Sequence, residues 1–229
     1  MKTIILLLFS LPLLAAPIGN PSAPALLEEG FFIPDTSWSN LQVGFTQDFL
    51  FRKKLRPCRK GASSLNHIRL EANSQIADIT WSIRERFNLQ LELGSGQFQW
   101  NWHQSGTKVH GRSNYGFLWS GDAKLVILEV KRTSFAIDGQ AGSSSGLGVR
   151  YNYWQGGAAL TQKIGAFAPY LGWSFNQTNF KVASAYFHSK IFSGPFAGCS
   201  LSNGSRGFLN VEWRGWFEQG LALMGQLRF

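Results

Sequence analysis

The chain has 229 residues, of which 22 are Lys or Arg and 13 are Asp or Glu, so its formal net charge at pH 7 is +9. Charged residues make up 15% of the chain, aromatic residues make up 14%, and 25 residues are glycine. An ordinary soluble domain has about 25% charged residues, whereas few charges with many aromatic residues suit a sheet that has one face in lipid. A basic excess can serve nucleic-acid binding, but the export signal described next argues against nucleic acid as a partner.

The N-terminus has the pattern of a secretory signal peptide. Lys2 is followed by an apolar run over residues 4–14 and by two small residues, Ala15 and Ala16. The apolar run is far shorter than the roughly 20 residues that a membrane-spanning helix needs. We therefore predict a signal peptide over residues 1–15 that is cleaved during export, which sends the chain to the cell envelope.

Two regions follow the predicted signal peptide. Residues 16–37 contain four prolines, and this composition predicts an irregular N-terminal lead-in that lies in the periplasm. From residue 38 onward apolar and polar side chains alternate, which is the pattern of a β-strand with two unlike faces. No linker of the kind that separates domains interrupts residues 38–229, so the sequence predicts one β-sheet domain there.

The alternation is cleanest in the first half of this domain. Leu41, Val43 and Phe45 lie on one face of the first predicted strand, and Gln42 and Thr46 lie on the other. Further strands are predicted over residues 67–71, 77–84, 88–93 and 97–103, with turns at 73–74 and 94–96. A soluble antiparallel sheet also alternates, but here one face is almost wholly large and apolar, which favours the inverted arrangement of a membrane barrel.

The second half of the domain alternates less regularly. Strands are predicted over residues 126–131, 149–153, 158–164, 170–175, 209–214 and 221–229, with a flexible Gly-Ser loop at 142–147 and a longer loop at 176–190. The last strand ends in Phe229, and a C-terminal aromatic residue on such a strand is the sorting and assembly signal of outer-membrane barrels. We therefore predict an all-β fold, a transmembrane antiparallel up-and-down β-barrel of about twelve strands, within a range of ten to fourteen. Its expected partners are outer-membrane lipid and the barrel assembly machinery.

Charged side chains on the polar face of the predicted strands are the candidate pore lining, because rings of charge inside a water-filled barrel set its ion preference. They are Asp48, Arg69, Glu71, Arg84, Glu92, Glu129, Lys131, Arg150, Lys163, Glu212, Arg214 and Arg228. The basic excess of the chain favours anions in such a pore. A barrel of about this size can be open or filled by side chains, so a structural or adhesive surface barrel without conductance stays open as an alternative.

The sequence contains no catalytic or metal-binding pattern. Its four histidines are scattered, and the motifs HExxH and GxSxG and a phosphate-binding glycine loop are absent. We therefore predict that the chain is not an enzyme and that it carries no metal or cofactor. Cys58 and Cys199 fit no metal-ligand spacing, and in an oxidising compartment they can pair with each other, pair between molecules or stay free.

Five segments carry motifs that occur together, and in this order, in one family of outer-membrane proteins. They are PIGNPSAP at 17–24, the first predicted strand at 38–51, RFNL and LG within 86–94, YWQ through PYLGW at 153–173, and QLRF at 226–229. With these segments the chain resembles the chlamydial major outer membrane protein family of porins, where the corresponding motifs include PVGNPAEP, WDRFDVFCTLG, TPYIGVKW and AQFRF.

This resemblance implies a porin that lets small hydrophilic solutes and ions diffuse across the outer membrane. It also implies a structural role in the cell envelope and assembly into a homotrimer. The chain is shorter than a typical member, and it has two cysteines where the family is cysteine-rich. The disulfide-linked envelope network of that family is therefore not implied for this chain.

Overall fold

A computed structural model of the chain describes residues 17–21, 41–57, 68–84, 86–104, 107–146, 148–183, 185–202, 207–216 and 218–228. The predicted signal peptide, Cys58 and Phe229 lie outside these residues, as do the side chains of Arg84 and Arg228. Among the described residues no helix is long and apolar enough to cross a membrane.

Twelve β-strands are present in the described part of the chain. They are β1 (Leu41–Pro57), β2 (Ile68–Arg84), β3 (Phe87–Gln104), β4 (Thr107–Arg112), β5 (Gly116–Val130), β6 (Thr133–Gly146), β7 (Val149–Gln162), β8 (Phe167–Val182), β9 (Ala185–His188), β10 (Phe192–Ser202), β11 (Gly207–Arg214) and β12 (Glu218–Arg228).

Ten of these strands close into an antiparallel barrel. The wall contains seven successive neighbours, β1, β2, β3, β5, β6, β7 and β8, and three further neighbours, β10, β11 and β12. Pairing of β8 with β10 and of β12 with β1 closes the barrel. The other two strands extend one end of the wall: β4 pairs with β3, and β9 joins β8 to β1 beyond the shorter strands β10, β11 and β12. The predicted all-β membrane-type barrel is confirmed, and its strand number lies within the predicted range.

The two ends of the barrel differ. One end, here named the loop end, carries the connection over residues 58–67, the β3–β4 hairpin and β9. The opposite end, here named the turn end, carries the short connections 85–86, 131–132 and 163–166. Both the first residue of β1 and the last residue of β12 lie at the turn end.

The outer surface of the wall is apolar and its interior is polar over most of the barrel. On β3, Leu91 is 50% exposed and Leu93 is 45% exposed, whereas their neighbours Gln90 and Glu92 point inward and are 6% and 2% exposed. A soluble barrel has the opposite arrangement, and an apolar outer surface around a polar interior is that of a barrel with its wall in lipid.

Two predicted turns are wrong because both lie inside long strands. β2 runs without a break through Asn73 and Ser74, and β3 runs without a break through residues 94–96. A Cβ atom on Gly94 would collide with the backbone carbonyl of Gln75 in β2. This glycine therefore permits a close approach of two strands, a second use of glycine that the sequence does not distinguish from a turn.

Two predicted loops are also largely strand. Most of the Gly-Ser segment at 142–147 belongs to β6, and the segment at 176–190 contains the end of β8 and all of β9. Both segments have a paired neighbour on each side, and in the first one cross-strand hydrogen bonding outweighs the weak strand preference of glycine and serine.

β-Bulges exchange the two faces within single strands. The register shifts between Val126 and Leu128, so Val126 points inward and is 3% exposed, whereas Leu128 points outward and Glu129 turns inward. The prediction that Val126 and Leu128 share one face is wrong for this reason. A similar shift beyond Leu50 in β1 turns Lys53 inward.

Candidate functional site: the barrel interior

The interior holds ionisable side chains along much of its length. In the described residues seven carboxylates and four cations are buried: Asp48, Asp78, Glu92, Asp122, Asp138, Glu212 and Glu218, with Lys53, Lys124, Lys163 and Arg214. Among the buried groups acidic side chains thus outnumber basic ones by three, although the whole chain is basic. This distribution differs from the basic overall composition on which the expected anion preference was based, and the ion preference itself stays a prediction.

One group of these charges, here named the arginine cluster, surrounds Arg214 of β11. The Arg214 guanidinium contacts the carboxylate of Asp48, and it lies 3.7 Å from Oε1 of Glu212 through Nε and 3.3 Å from Oε1 of Glu218 through Nη1. Nζ of Lys53 lies 2.8 Å from the other carboxylate oxygen of Glu218. Because buried charges are tolerated only with close partners, this cluster ties together β1, β11 and β12.

A second group, here named the lysine cluster, surrounds Lys124 of β5. Nζ of Lys124 lies 3.1 Å from Oδ2 of Asp122 and donates a hydrogen bond of 3.1 Å to Oε1 of Gln90. Glu92 accepts a hydrogen bond of 2.8 Å from Nε2 of Gln140. These contacts connect the neighbouring strands β3, β5 and β6 on the inner face of the wall.

The lysine cluster is short of positive charge. Asp78 and Asp138 also lie within electrostatic reach of Lys124, so a single cation faces four carboxylates. Asp138 is only 8% exposed, and neither of its carboxylate oxygens accepts a hydrogen bond from another side chain among the described residues. Within those residues no group of three or more His, Cys, Asp or Glu side chains could hold a metal ion. Water, mobile cations or protonation of a carboxyl group can compensate for this shortage of positive charge.

Residues Pro17–Pro21, here named the N-terminal segment, lie inside the barrel. The backbone N–H of Ile18 donates to Oε1 of Glu212 at 3.1 Å. Asn20 donates from Nδ2 to Oγ of Ser200 at 3.1 Å and accepts from Oγ1 of Thr161 at 2.9 Å. The described part of the predicted periplasmic lead-in thus occupies the interior, because its polar groups find hydrogen-bond partners on the inner faces of β7, β10 and β11.

The N-terminal segment also has an apolar contact and a turn at Gly19. The Ile18 side chain packs against Ala159, Tyr170 and Phe196, which form a small buried cluster. Gly19 has a φ of +69°, and a Cβ atom there would lie 3.5 Å from Nζ of Lys124. Glycine is the residue that adopts this backbone conformation without strain, so Gly19 lets the segment turn beside the lysine cluster.

At the loop end the interior changes from polar to aromatic. The ring centroids of Phe98 and Tyr151 are 5.2 Å apart, those of Trp100 and Phe180 are 5.8 Å apart, and that of Phe187 lies near both Phe180 and Trp102. These rings belong to one buried cluster, here named the aromatic cluster. It packs the interior between the loop end and the charged groups.

The structure places six of the predicted pore-lining residues on the inner face. They are Asp48, Glu92, Glu129, Lys163, Glu212 and Arg214. Asp48, Glu212 and Arg214 come together in the arginine cluster, whereas Glu92 belongs to the lysine cluster. Conduction past these side chains stays a prediction.

Four of the predicted residues lie elsewhere. Arg69 and Glu71 form an ion pair on the outer face, with 2.9 Å between Nε and Oε1, and Arg150 is exposed on the outer face of β7. Lys131 is exposed in the turn between β5 and β6. The placement of Arg69 and Arg150 differs from the prediction because polarity reverses at the loop end, where the aromatic cluster takes the inner face and charged residues take the outer one.

Six buried charged residues were absent from the predicted set: Lys53, Asp78, Asp122, Lys124, Asp138 and Glu218. Asp122 and Lys124 had a readable signal, since Ser120, Asp122 and Lys124 alternate with Trp119 and Leu125 in the sequence. Lys53 had none, because its inward position depends on the bulge beyond Leu50.

Cys199 lies half-buried on β10 and forms no disulfide within the described residues. In the strand register Cys199 is paired with Val211 of β11, and Val211 is paired with Leu223 of β12. Leu223 is in turn paired with Gln47 of β1. Pro57, the residue before Cys58, ends β1 at the loop end. Since Cys58 lies outside the described residues, its pairing stays a prediction.

The comparisons with known proteins concern the fold. No family model and no curated protein matches the chain. An outer membrane channel from Pseudomonas putida F1 is similar with a TM-score of 0.51 and 8% identity, over 88% of this chain and 98% of that chain. The outer membrane protease OmpT from Escherichia coli gives a TM-score of 0.45 and 10% identity, over 89% and 100% of the two chains. The β domain of the Bordetella autotransporter BrkA gives 0.44 and 10%, over 83% and 99%.

The prediction that the chain is not an enzyme was wrong, because it excluded catalytic activity. The solved barrels that are similar to this chain include an outer membrane protease as well as a channel and an autotransporter domain. A fold does not by itself imply a function, so function has to be argued from the interior itself.

Proposed function

We propose that the chain is an outer-membrane channel for small hydrophilic solutes and ions, that it prefers cations, and that the N-terminal segment closes it in the described conformation. The observation that carries the proposal is the excess of three acidic over basic side chains among the buried interior groups. A dry interior holds this excess only if carboxyl groups take up protons, because unpaired buried charges are costly. A hydrated interior that exchanges cations with the surroundings neutralises it.

The orientation and setting of the channel are part of the proposal. Outer-membrane barrels have short turns on the periplasmic side and longer loops outside, so we expect the loop end to face outward. The resemblance to the chlamydial major outer membrane protein family supports a porin that also contributes to envelope structure. The proposal also includes assembly into a homotrimer, a signal peptide cleaved near Ala15 and insertion by the barrel assembly machinery.

Planar-bilayer recording of the refolded protein in a KCl gradient tests the ion preference. We expect a reversal potential of the sign that cation preference gives. Asp138→Asn removes one interior negative charge and is expected to lower the cation-to-anion permeability ratio. The matched control is Glu71→Gln, which removes the same charge from the outer face and should leave the ratio unchanged. Anion preference of the unmodified protein would contradict the proposal.

The second candidate function is a structural surface barrel without conductance. The aromatic cluster favours it, because Phe98, Tyr151, Phe180 and Phe187 are at most 2% exposed and pack across the interior at the loop end. A chain without residues 17–21 separates the two functions. If that variant folds and also stays silent in the bilayer, the structural function replaces the channel.

A further inference from the structure

Basic side chains surround much of the outer face at the loop end. The set, here named the basic belt, comprises Arg150 on β7, Lys181 on β8, Arg56 and Lys54 on β1, Arg69 on β2 and Arg112 on β4, all of them exposed. β9 makes the belt continuous, since it pairs with both β8 and β1 and sets His188 opposite Arg56. Glu71 is the one acidic residue that faces out beside them in the described strands.

Two like-charged pairs lie directly opposite each other in this belt. Arg150 of β7 is paired in register with Lys181 of β8, and Lys54 of β1 is paired with Arg69 of β2. Like charges directly opposite on one face destabilise an antiparallel pair. The outer neighbours of the first pair, Ser145 and Tyr186, are uncharged, and in the described part of the chain neither Arg150 nor Lys181 has an ion-pair partner. An anion seated between them removes this repulsion.

The belt lies next to the part of the wall that faces lipid. On β7 the exposed Trp154 donates from Nε1 to Oε1 of Gln177 on β8 at 3.0 Å. Asn152, opposite Asn179, comes next toward the loop end, and Arg150 follows. Trp residues sit at the boundary between hydrocarbon and headgroups, so the belt lies at the depth of the headgroups.

We propose that the basic belt docks the phosphate groups of anionic lipid headgroups in the leaflet at the loop end. Guanidinium groups bind phosphate through paired N–H donors, and a lysine adds charge. A phosphate seated between Arg150 and Lys181 offsets their repulsion, whereas Glu71 already offsets part of the repulsion between Lys54 and Arg69. This docking surface is independent of whether the interior conducts.

The experiment uses the full chain in nanodiscs of phosphatidylcholine that contain lipid A, a lipid with two phosphate groups. Bound lipid A is counted by native mass spectrometry after release of the protein. R150Q/K181Q removes both charges of one pair, and the loss is expected at about fivefold per cation and about 25-fold for the pair. R150K/K181R keeps both charges and should bind lipid A nearly as well as the unmodified chain.

The control is R86Q/K131Q, which removes two exposed cations at the turn end and so changes the net charge equally. We expect it to retain lipid A. Equal binding by R150Q/K181Q and the unmodified chain would overturn the proposal, as would equal loss in the control. Stabilisation of the detergent-solubilised protein by inorganic phosphate, to the same extent as by lipid A, would overturn the assignment to a lipid.

Discussion

Arg214 is the residue on which the polar interior depends most. Its guanidinium serves Asp48, Glu212 and Glu218 at once, and all four side chains are nearly inaccessible to solvent. A buried ion pair adds little net stability compared with an apolar pair, but removal of one partner leaves the other charged and buried. Arg214 therefore contributes to stability mainly because its removal would leave three buried carboxylates without their cation.

The first prediction follows for Arg214→Met, which keeps the length of the side chain and removes its charge. We expect it to lower the free energy of unfolding by about 3–5 kcal/mol, because uncompensated carboxylates remain in the interior. The measurement is the urea midpoint at which the compact, heat-modifiable gel band disappears.

Arg86→Met is the matched control, since Arg86 is exposed in the turn between β2 and β3; its midpoint should stay close to that of the unmodified chain. The double variant R214M/D48N should recover part of the loss, because Asp48 and Arg214 interact and their effects are not additive. Equal midpoints for R214M and R86M would show that the arginine cluster does not stabilise the barrel.

At the scale of elements, the N-terminal segment is the part of the interior that can be displaced. It is held by hydrogen bonds from Ile18 and Asn20 and by the packing of Ile18, and it is not part of the β-sheet. A typical hydrogen bond contributes about 0.5–1.5 kcal/mol net. A few such contacts hold a segment in place and still allow its release.

The second prediction is that a covalent link between the N-terminal segment and the wall keeps the channel closed. Ile18 and Ala159 belong to one buried cluster, so I18C/A159C is the variant designed to link the segment to the wall by a disulfide. The variant is made with Cys58 and Cys199 replaced by serine. We expect low bilayer conductance after oxidation and a higher open fraction after reduction by dithiothreitol.

The single variant I18C in the same serine background is the control, and its conductance should not respond to dithiothreitol. Identical conductance of oxidised and reduced I18C/A159C, with the disulfide verified by mass spectrometry, would contradict closure by the N-terminal segment. The channel itself would stand in that case, because another constriction, such as the aromatic cluster, could then limit it.

The sequence predicts the architecture better than the position of its charges. Period-two alternation identifies strands wherever lipid covers one face, as for Leu89 to Leu93 in β3, because there the wall has one apolar and one polar side. The alternation does not identify the inner face where the outer face of the wall is not covered by lipid. At the loop end Tyr151 points inward and Arg150 outward, which is the reverse of the predicted order.

Bulges and insertion of the N-terminal segment could not be predicted for a different physical reason. A bulge such as that at Val126 depends on the register between two strands, and register is a property of the pair. The place of Asn20 inside the barrel depends on Ser200 and Thr161, far away in the sequence. No local pattern in residues 16–37 contains that information.

For the molecule as a whole, net charge is a poor guide to the interior. The chain carries a formal charge of +9, yet among its buried groups acidic side chains outnumber basic ones by three. The difference arises because exposed cations gather at both ends of the wall, in the basic belt and in turns such as that of Lys131 and Arg132. Lipid excludes charge from the middle of the outer face, so the fold separates basic ends from an acidic interior.

The third prediction tests whether the apolar outer surface is the part that faces hydrocarbon. Leu91 lies near the middle of this surface, paired with Ile79 on one side and Gly121 on the other, and it is 50% exposed. Val130 is 56% exposed but ends β5 at the turn end. Both positions are open, so an arginine at either one creates no clash inside the barrel.

Only the depth in the membrane distinguishes the two substitutions. Leu91→Arg should cost about 2–4 kcal/mol near the bilayer midplane, and Val130→Arg about 0–1 kcal/mol at the interface. The measurement is urea unfolding of the protein from phospholipid vesicles, followed by tryptophan fluorescence. In detergent micelles, which adapt to the added charge, the gap between the variants should shrink. Equal costs in vesicles would mean that Leu91 does not face hydrocarbon, and the wall would then lack the lipid contact on which the membrane placement depends.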